Sequence, residues 1–357
     1  MQKLPIPFFL LLGAIMLSAG TIDLNNLLNY ANQAVPTYIT KDNTPIGNDI
    51  SDAGATLGRV LFYDKNLSLN QSVSCSSCHQ QAFAFSDPMV RSVGLSGGLT
   101  GRHSMRLVNS RFADEVRFFW DERATSLEDQ VTQPIQDHVE MGFSGADGDP
   151  AFDSLINRLE SIEYYDDLFT LAFGDDQISE ARIQQALAQF VRSIQSFDSK
   201  FDVGRAQVPN NAMPFPNFSQ EENTGKQLFI QPAGQGGAGC AGCHRPPEFD
   251  IDPNSLNNGV IGVVDDSLST DLTNTRSPSL RDLVNPDGLL NGPLMHDGSF
   301  DSLIQVIEHY NLIVPGQNNN LDLRLRGGPG PNPPGQDLQL TDAQKNALVA
   351  FLGTLTG

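Results

Sequence analysis

Apolar residues recur at helical spacing in four stretches of the chain, separated by polar and loop-forming residues. These stretches are residues 52–62, 178–197, 218–229 and 341–355. In the second stretch one helical face carries only apolar side chains: Ile183, Leu187, Phe190, Val191, Ile194 and Phe197. A periodicity of three and four residues is typical of an amphipathic helix packed on a core. Since no run of residues alternates convincingly between apolar and polar, the chain is predicted to be mostly α-helical with long loops.

The first and third stretches share a short sequence pattern. Residues 58–62 and 225–229 both read Gly-x-x-Leu-Phe, and each precedes a pair of cysteines. Ser219 and Glu222 also have the spacing of a capping box, which predicts where the third helix begins. This weak internal repeat indicates a duplicated unit.

The repeat suggests two domains, which agrees with a length of 357 residues. We predict an N-terminal domain at residues 21–201 and a C-terminal domain at 219–357. Three prolines in residues 202–218 favour a linker between them. Residues 314–339, rich in Gly, Pro and Asn, are expected to form a surface loop.

Residues 1–20 have the composition of a secretory signal peptide. Lys3 precedes an apolar run at residues 7–17, and small residues follow at positions 18–20. The run is short for a membrane span, and a buried core helix is the alternative. We therefore expect an exported, periplasmic and soluble mature protein with no membrane attachment.

The charge balance is strongly acidic, since 22 Lys and Arg face 42 Asp and Glu for a formal net charge of −20. This argues against a nucleic-acid partner, because duplex binding requires a basic face. An acidic surface could instead steer a small basic electron carrier towards the protein. Solubility alone is the alternative explanation.

All four cysteines lie in two copies of one pattern, Cys-x-x-Cys-His. The first copy holds Cys75, Cys78 and His79, and the second holds Cys240, Cys243 and His244. Each copy predicts covalent attachment of a c-type haem, with the histidine as an iron ligand. The alternatives are a redox disulfide and a zinc site. Zinc sites usually separate their two pairs by about 15 to 20 residues, and a redox disulfide needs no adjoining histidine.

The remaining iron ligands are less clear from the residues alone. Met295 is the only methionine after the second motif, which makes it a candidate sixth ligand of an electron-transfer haem, or a gap filler in the core. No candidate after the first motif stands out by spacing, so that iron could keep an open face. Near it in sequence lie Gln130, Pro134 and Glu140, and a carboxylate over an open haem could move protons. Trp120, the single tryptophan, could be a core residue or an electron relay.

Taken together, these motifs resemble the bacterial dihaem cytochrome c peroxidases and their sister group, the methylamine dehydrogenase maturation enzymes. The resemblance covers nearly the whole mature chain, through residues 57–62, 74–79, 82–87, 119–124, 127–130, 140–142, 240–244, 276–281, 295–300 and 308–311. It implies two cytochrome c-like haem domains and reduction of hydrogen peroxide to water, with electrons from a small cytochrome c or copper protein.

The resemblance also implies roles for individual residues. Gln130 and Glu140 would lie in the distal pocket of the first, peroxide-reacting haem, with Glu140 as the acid and base. Trp120 would sit between the haems, and Met295 would ligate the second iron. The maturation enzymes resemble this chain but have a Tyr at the Met295 position, so Met favours the peroxidase. A maturation-type enzyme that oxidises a protein, and a non-catalytic dihaem electron carrier, remain alternatives.

Two departures from the family pattern stand out. Many of these peroxidases cap the first iron with a histidine from the loop at residues 88–101, which here contains none. We therefore expect an open first haem, with a cap from His103 as the alternative. His103 also replaces the Asn that helps to hold calcium in the family, although the carbonyl groups of Arg276 and Pro278 could still bind that ion. Association into a homodimer is left open.

Overall fold

The computed structural model describes residues 22–250, 253–263, 266–314, 316, 318–327 and 334–357. The predicted signal peptide at residues 1–20 lies outside the described residues, as do parts of the predicted loop at 314–339. Within these described ranges, no helix is both long and apolar enough to cross a membrane.

The regular structure of the described residues is almost entirely helical. The helices are α1 (Asp52–Tyr63), α2 (Cys75–Cys78), α3 (Leu127–Thr132), α4 (Phe152–Glu160), α5 (Glu163–Phe173), α6 (Glu180–Ser193), α7 (Lys200–Arg205), α8 (Gln220–Ile230), α9 (Leu303–Asn311) and α10 (Asp342–Gly353). A small antiparallel pair, β1 (Gly262–Val263) and β2 (Asp266–Thr270), is the strand structure of the described chain. The prediction of a mostly helical chain with long loops is confirmed.

Helices α1 and α6 pack closely in the first half of the chain. A Cβ atom at Gly58 would lie only 1.9 Å from the carbonyl oxygen of Ala186, so only glycine permits this approach. One turn later, the rings of Phe62 and Phe190 meet edge to face with centroids 5.1 Å apart. The α6 helix ends at Ser193, four residues before the apolar pattern ends.

Helices α8 and α10 repeat this packing in the second half. A Cβ atom at Gly225 would lie 1.8 Å from the carbonyl oxygen of Ala347. The rings of Phe229 and Phe351 again meet edge to face, with centroids 5.2 Å apart. The sequence repeat therefore corresponds to a repeated helix pair. The predicted capping box at the start of α8 is also confirmed.

Two clusters of buried apolar residues accompany the two helix pairs. The first extends from Tyr30 to Ile194 and the second from Phe201 to Leu355. Residues 202–218, predicted as a linker, contribute Phe215 and Phe218 to the second cluster, so the end of this segment packs against the second half. Its prolines indicated irregular backbone but gave no sign of this packing. The division into two domains stays a prediction.

A segment near the N-terminus connects the two halves. Tyr38 donates a hydrogen bond from its hydroxyl group to Asp202 at 2.9 Å. The Thr40 amide donates to the Glu248 carboxylate at 3.0 Å, and the Lys41 ammonium pairs with Asp250 at 2.7 Å. These contacts help to fix the orientation of one half against the other.

Candidate functional site

Helix α2 positions the first cysteine pair and its histidine. Ser74 caps this single turn, and the His79 amide donates to the carbonyl oxygen of Cys75 at 2.9 Å. The Nδ1 atom of His79 lies 3.1 Å from the carbonyl oxygen of Phe85. A carbonyl oxygen only accepts hydrogen bonds, so Nδ1 carries the proton and Nε2 keeps the lone pair that a metal ligand needs.

The second motif repeats this backbone geometry in a 3-10 turn, Cys240–Gly242, where the His244 amide donates to the Cys240 carbonyl oxygen at 2.9 Å. It opens into a cavity of about 650 Å³, a volume in the range of cofactor pockets. Second-half residues on its wall include Cys240, Cys243, His244, Arg276, Met295 and Tyr310, and first-half residues include Ser86, His103, Arg106 and Trp120. Two thiols, an imidazole and a thioether in one cavity form a donor set that fits a c-type haem.

The disulfide and zinc alternatives receive no support from the geometry. Cys75 and Cys78 are not joined by a disulfide, and Cys240 forms none either. Burial raises the pKa of the Cys75 and Cys240 thiols to about 12, which opposes the thiolate form that zinc requires. Among the described residues, no group of three or more His, Cys, Asp or Glu side chains could hold a metal ion.

Met295 lines the larger cavity in an unusual backbone conformation. Its φ angle of 72° lies in the left-handed region, which is costly for a long side chain and is typically retained at functional positions. The Asn258 side-chain amide lies 3.6 Å from the Met295 sulfur and 3.5 Å from the Tyr310 hydroxyl oxygen. Asn258 belongs to no motif, so the sequence gave no reason to single it out.

Trp120 lies at the junction of the two halves. Its indole Nε1 donates to the carbonyl oxygen of His103 at 2.7 Å, and its own carbonyl oxygen accepts from the Arg276 amide at 2.7 Å. Its ring centroid lies 6.3 Å from that of His296, next to Met295. This placement is compatible with the predicted relay between two redox centres, and that role stays a prediction.

His103 is buried and both of its ring nitrogens have partners. Nδ1 lies 3.1 Å from the Met89 carbonyl oxygen, and Nε2 lies 3.1 Å from the Ser86 hydroxyl oxygen. Burial lowers the pKa of His103 to about 4, so the ring is neutral. The alternative in which His103 caps the first iron would require the ligating nitrogen to give up its contact with Ser86 or Met89.

A second, smaller cavity has a volume of about 270 Å³. Its lining consists of Arg123, Gln133, Pro134, Gln136, Asp137 and Glu140. Burial, and to a lesser extent the Asp137 charge, raise the pKa of Glu140 to about 7, while the Arg123 charge acts in the opposite direction. The Glu140 charge also raises the pKa of the Cys75 and Cys78 thiols, which places this carboxylate close to the first cysteine pair.

The segment that carries Glu140 is held on both sides. Helix α3 is fixed to α6 by a two-pronged ion pair between Glu128 and Arg192, with nitrogen–oxygen distances of 2.5 and 3.1 Å. Beyond α3, the carbonyl oxygen of Met141 accepts from the Leu69 amide at 2.8 Å. The neighbouring Val139 carbonyl oxygen accepts from Leu95 at 2.8 Å, which brings the histidine-free loop against the cavity.

Gln130 was expected near Glu140 in the pocket of the first haem, but other glutamines line the cavity that contains Glu140. Gln130 is half-buried on α3 and does not line the smaller cavity, whereas Gln133 and Gln136 do. Both follow Gln130 within six residues, but neither belongs to a motif of the resemblance. The distal role of Gln130 remains a prediction.

The calcium prediction rests on backbone oxygens. Arg276 and Pro278 both line the larger cavity, and the Arg276 amide is engaged by Trp120. The side chain of His103 offers no oxygen ligand, and both of its ring nitrogens have other partners. A calcium ion would therefore depend on carbonyl groups, and its presence stays a prediction.

Each helical half presents two cysteines and a histidine, and the second set lines a cavity large enough for a cofactor. These features are those of a c-type cytochrome with two attachment motifs. The chain belongs to the di-haem cytochrome c peroxidase family, which residues 52–207 match directly. The family implies two c-type haems.

Individual relatives include both branches of this family. The chain is 32% identical over 323 residues to the methylamine utilization protein MauG of Methylophilus methylotrophus, covering 88% of this chain and 85% of that protein. It is 27% identical to the cytochrome c551 peroxidase of Nitrosomonas europaea, covering 97% and 89% respectively. A crystal structure of a MauG-like protein associated with microbial copper homeostasis has a TM-score of 0.69 and 28% identity, with 91% of this chain and 95% of that chain covered.

Proposed function

We propose that this protein is a peroxidase that reduces hydrogen peroxide to water with electrons from a small cytochrome c or copper protein. The observation that carries this proposal is the partly buried Glu140, which lines a cavity, has a pKa of about 7 and acts electrostatically on the thiols of Cys75 and Cys78. A haem bound at Cys75, Cys78 and His79 would supply the iron that accepts peroxide. Reduction of one peroxide consumes two electrons and two protons and yields two waters.

Glu140 is suited to proton transfer in both directions. With a pKa of about 7, its carboxylate and its neutral acid are both populated at neutral pH. The carboxylate can accept a proton from one peroxide oxygen, and the acid can return it to the other. Arg123 lines the same cavity and places a positive charge where negative charge develops.

The second motif is suited to storing and delivering electrons. His244 and Met295 line one cavity and would be the ligands of the second iron, a ligand pair that raises the reduction potential. Trp120 lines the same cavity and contacts both halves, so it would carry electrons towards the first site. We also propose a periplasmic location, because residues 1–20 read as a signal peptide and the acidic charge suits a basic donor. A calcium ion at the Arg276 and Pro278 carbonyls, and pairing of two chains, belong to this proposal as secondary elements.

The second candidate function is a maturation-type enzyme that oxidises a protein substrate. Similarity to MauG proteins at 32% and 31% identity favours it. Met295 favours the peroxidase instead. The maturation enzymes that this chain resembles have a Tyr at the corresponding position.

Steady-state turnover with peroxide and a reduced small cytochrome c tests the choice. The peroxidase predicts rapid donor oxidation that Glu140→Gln slows by roughly a hundredfold or more. The matched control is Glu160→Gln, an exposed carboxylate at the end of α4. Slow donor oxidation with a long-lived oxidised state after peroxide would favour the maturation-type enzyme and contradict the peroxidase.

A further inference from the structure

Two arginines reach the larger cavity with unsatisfied hydrogen-bond donors. Arg106 comes from the first half of the chain and Arg276 from the second, and both line this cavity. The buried Nε of Arg106, and the buried Nε and Nη2 of Arg276, have no hydrogen-bond partner. Arg276 is 2% exposed, so bulk water cannot satisfy these donors.

The surrounding groups do not neutralise these guanidinium ions fully. Arg276 lies over the Phe118 ring at 4.3 Å, and it feels the charges of Glu115 and Glu122 without hydrogen bonding to either through Nε or Nη2. Arg106 feels the charge of Asp282. Burial lowers the pKa of both arginines to about 10, so both remain charged at neutral pH. A buried charge with unmade hydrogen bonds is costly unless an anion completes it.

The cavity itself indicates which anion would complete these charges. It is also lined by Cys240, Cys243 and His244, and a haem attached there would bring two propionate carboxylates. We propose that Arg106 and Arg276 bind the propionates of the haem attached at Cys240 and Cys243 and thereby raise its reduction potential. Guanidinium groups suit carboxylates because they donate paired hydrogen bonds.

This pairing orients the second haem relative to the first half. The Arg276 amide donates to the carbonyl oxygen of Trp120, and Arg106 belongs to the same half as Trp120. Arg106 and Arg276 would therefore hold the propionates in the cavity that Trp120 also lines. Neutralised propionates also favour the reduced iron, because reduction removes a positive charge from the metal.

Redox titration of the holoprotein tests the inference, which rests on the haem assignment and not on peroxidase activity. Arg106→Gln and Arg276→Gln should each retain two haems and lower the midpoint potential of the second haem. Arg106→Lys and Arg276→Lys should recover part of the loss, since they keep the charge. The matched control is Arg102→Gln, because Arg102 already pairs with Asp121 and Asp271 and does not line the cavity. Unchanged potentials in both haem-loaded Gln variants would overturn the inference.

A crystal structure of the unaltered holoprotein gives a second readout that does not depend on variant folding. The inference expects guanidinium nitrogens of both arginines within about 3.2 Å of propionate oxygens. Side chains turned instead onto Glu115, Glu122 or Asp282 would overturn it. Wild-type potentials and propionate contacts can hold even if turnover with peroxide is absent, so this inference and the proposed function can fail separately.

Discussion

Trp120 donates its indole hydrogen to the carbonyl oxygen of His103, with 2.7 Å between the two atoms. His103 is itself fixed by hydrogen bonds to Ser86 and to the Met89 carbonyl group. Its amide donates to the carbonyl oxygen of His296 in the second half at 2.9 Å. The orientation of the indole is therefore set by the same contacts that join the halves.

Replacing the tryptophan should slow electron transfer between the haems. Trp120→Leu removes the polarisable ring and the hydrogen bond, and Trp120→Phe keeps an aromatic ring only. We expect the rate to fall in the order Trp, Phe, Leu at unchanged haem content, as measured by stopped-flow spectroscopy after half-reduction. A Leu variant that transfers electrons at the wild-type rate would remove Trp120 from the path.

The pH dependence of turnover should report the ionisation of Glu140. Because its carboxylate must first accept a proton, activity should fall as the pH drops below about 7. Asp137→Asn removes a neighbouring negative charge, lowers the Glu140 pKa and should move the acidic limb to lower pH. Arg123→Gln should move it to higher pH, since Arg123 lowers this pKa. If the acidic limbs of the pH–activity profiles coincide for the wild type, Asp137→Asn and Arg123→Gln, a group other than Glu140 controls the profile.

The two close helix contacts should be equally intolerant of a methyl group. Gly58→Ala and Gly225→Ala would each force a Cβ atom onto a backbone oxygen and should destabilise the protein by about 1–3 kcal/mol or more. Gly353→Ala is the matched control, because a Cβ atom at that helical position meets nothing within 4 Å. Chemical denaturation measures all three variants. Equal stability of Gly58→Ala and the control would contradict the repeated packing.

The first haem should have an open or water-bound face in the fully oxidised protein. His103 is occupied by two hydrogen bonds, and the loop at residues 88–101 contains no histidine. We expect His103→Gln to leave the spin state of the first haem unchanged in electron paramagnetic resonance spectra. A wholly low-spin first haem in the wild-type protein, or a spin change in the variant, would contradict this expectation.

Local patterns were sufficient to predict the helices and the attachment motifs. The spacing of apolar residues located α1, α6, α8 and α10, because a helical face is encoded within a few turns. The repeated Gly-x-x-Leu-Phe pattern also anticipated matching units, although not the contact of each glycine with a second helix.

Features built from distant segments could not be predicted in this way. Phe215 and Phe218 looked like part of a linker, and only the tertiary structure shows them in the second cluster. Asn258 reaches Met295 from 37 positions away, and Arg106 lines a cavity formed mostly by the other half. Gln133 and Gln136 line the Glu140 cavity because the chain turns after α3 at Pro134, which spacing along the sequence does not reveal.

The most direct test of the central claim is a stopped-flow experiment on the half-reduced holoprotein. Hydrogen peroxide is added first, then a reduced small cytochrome c, and donor oxidation is recorded for the wild type, Glu140→Gln and Glu160→Gln. The peroxidase account predicts two donor molecules oxidised per peroxide at a rapid rate, with loss of that rate in Glu140→Gln alone. A wild-type protein that leaves the donor reduced, or a Glu140→Gln variant as fast as the wild type, would contradict it.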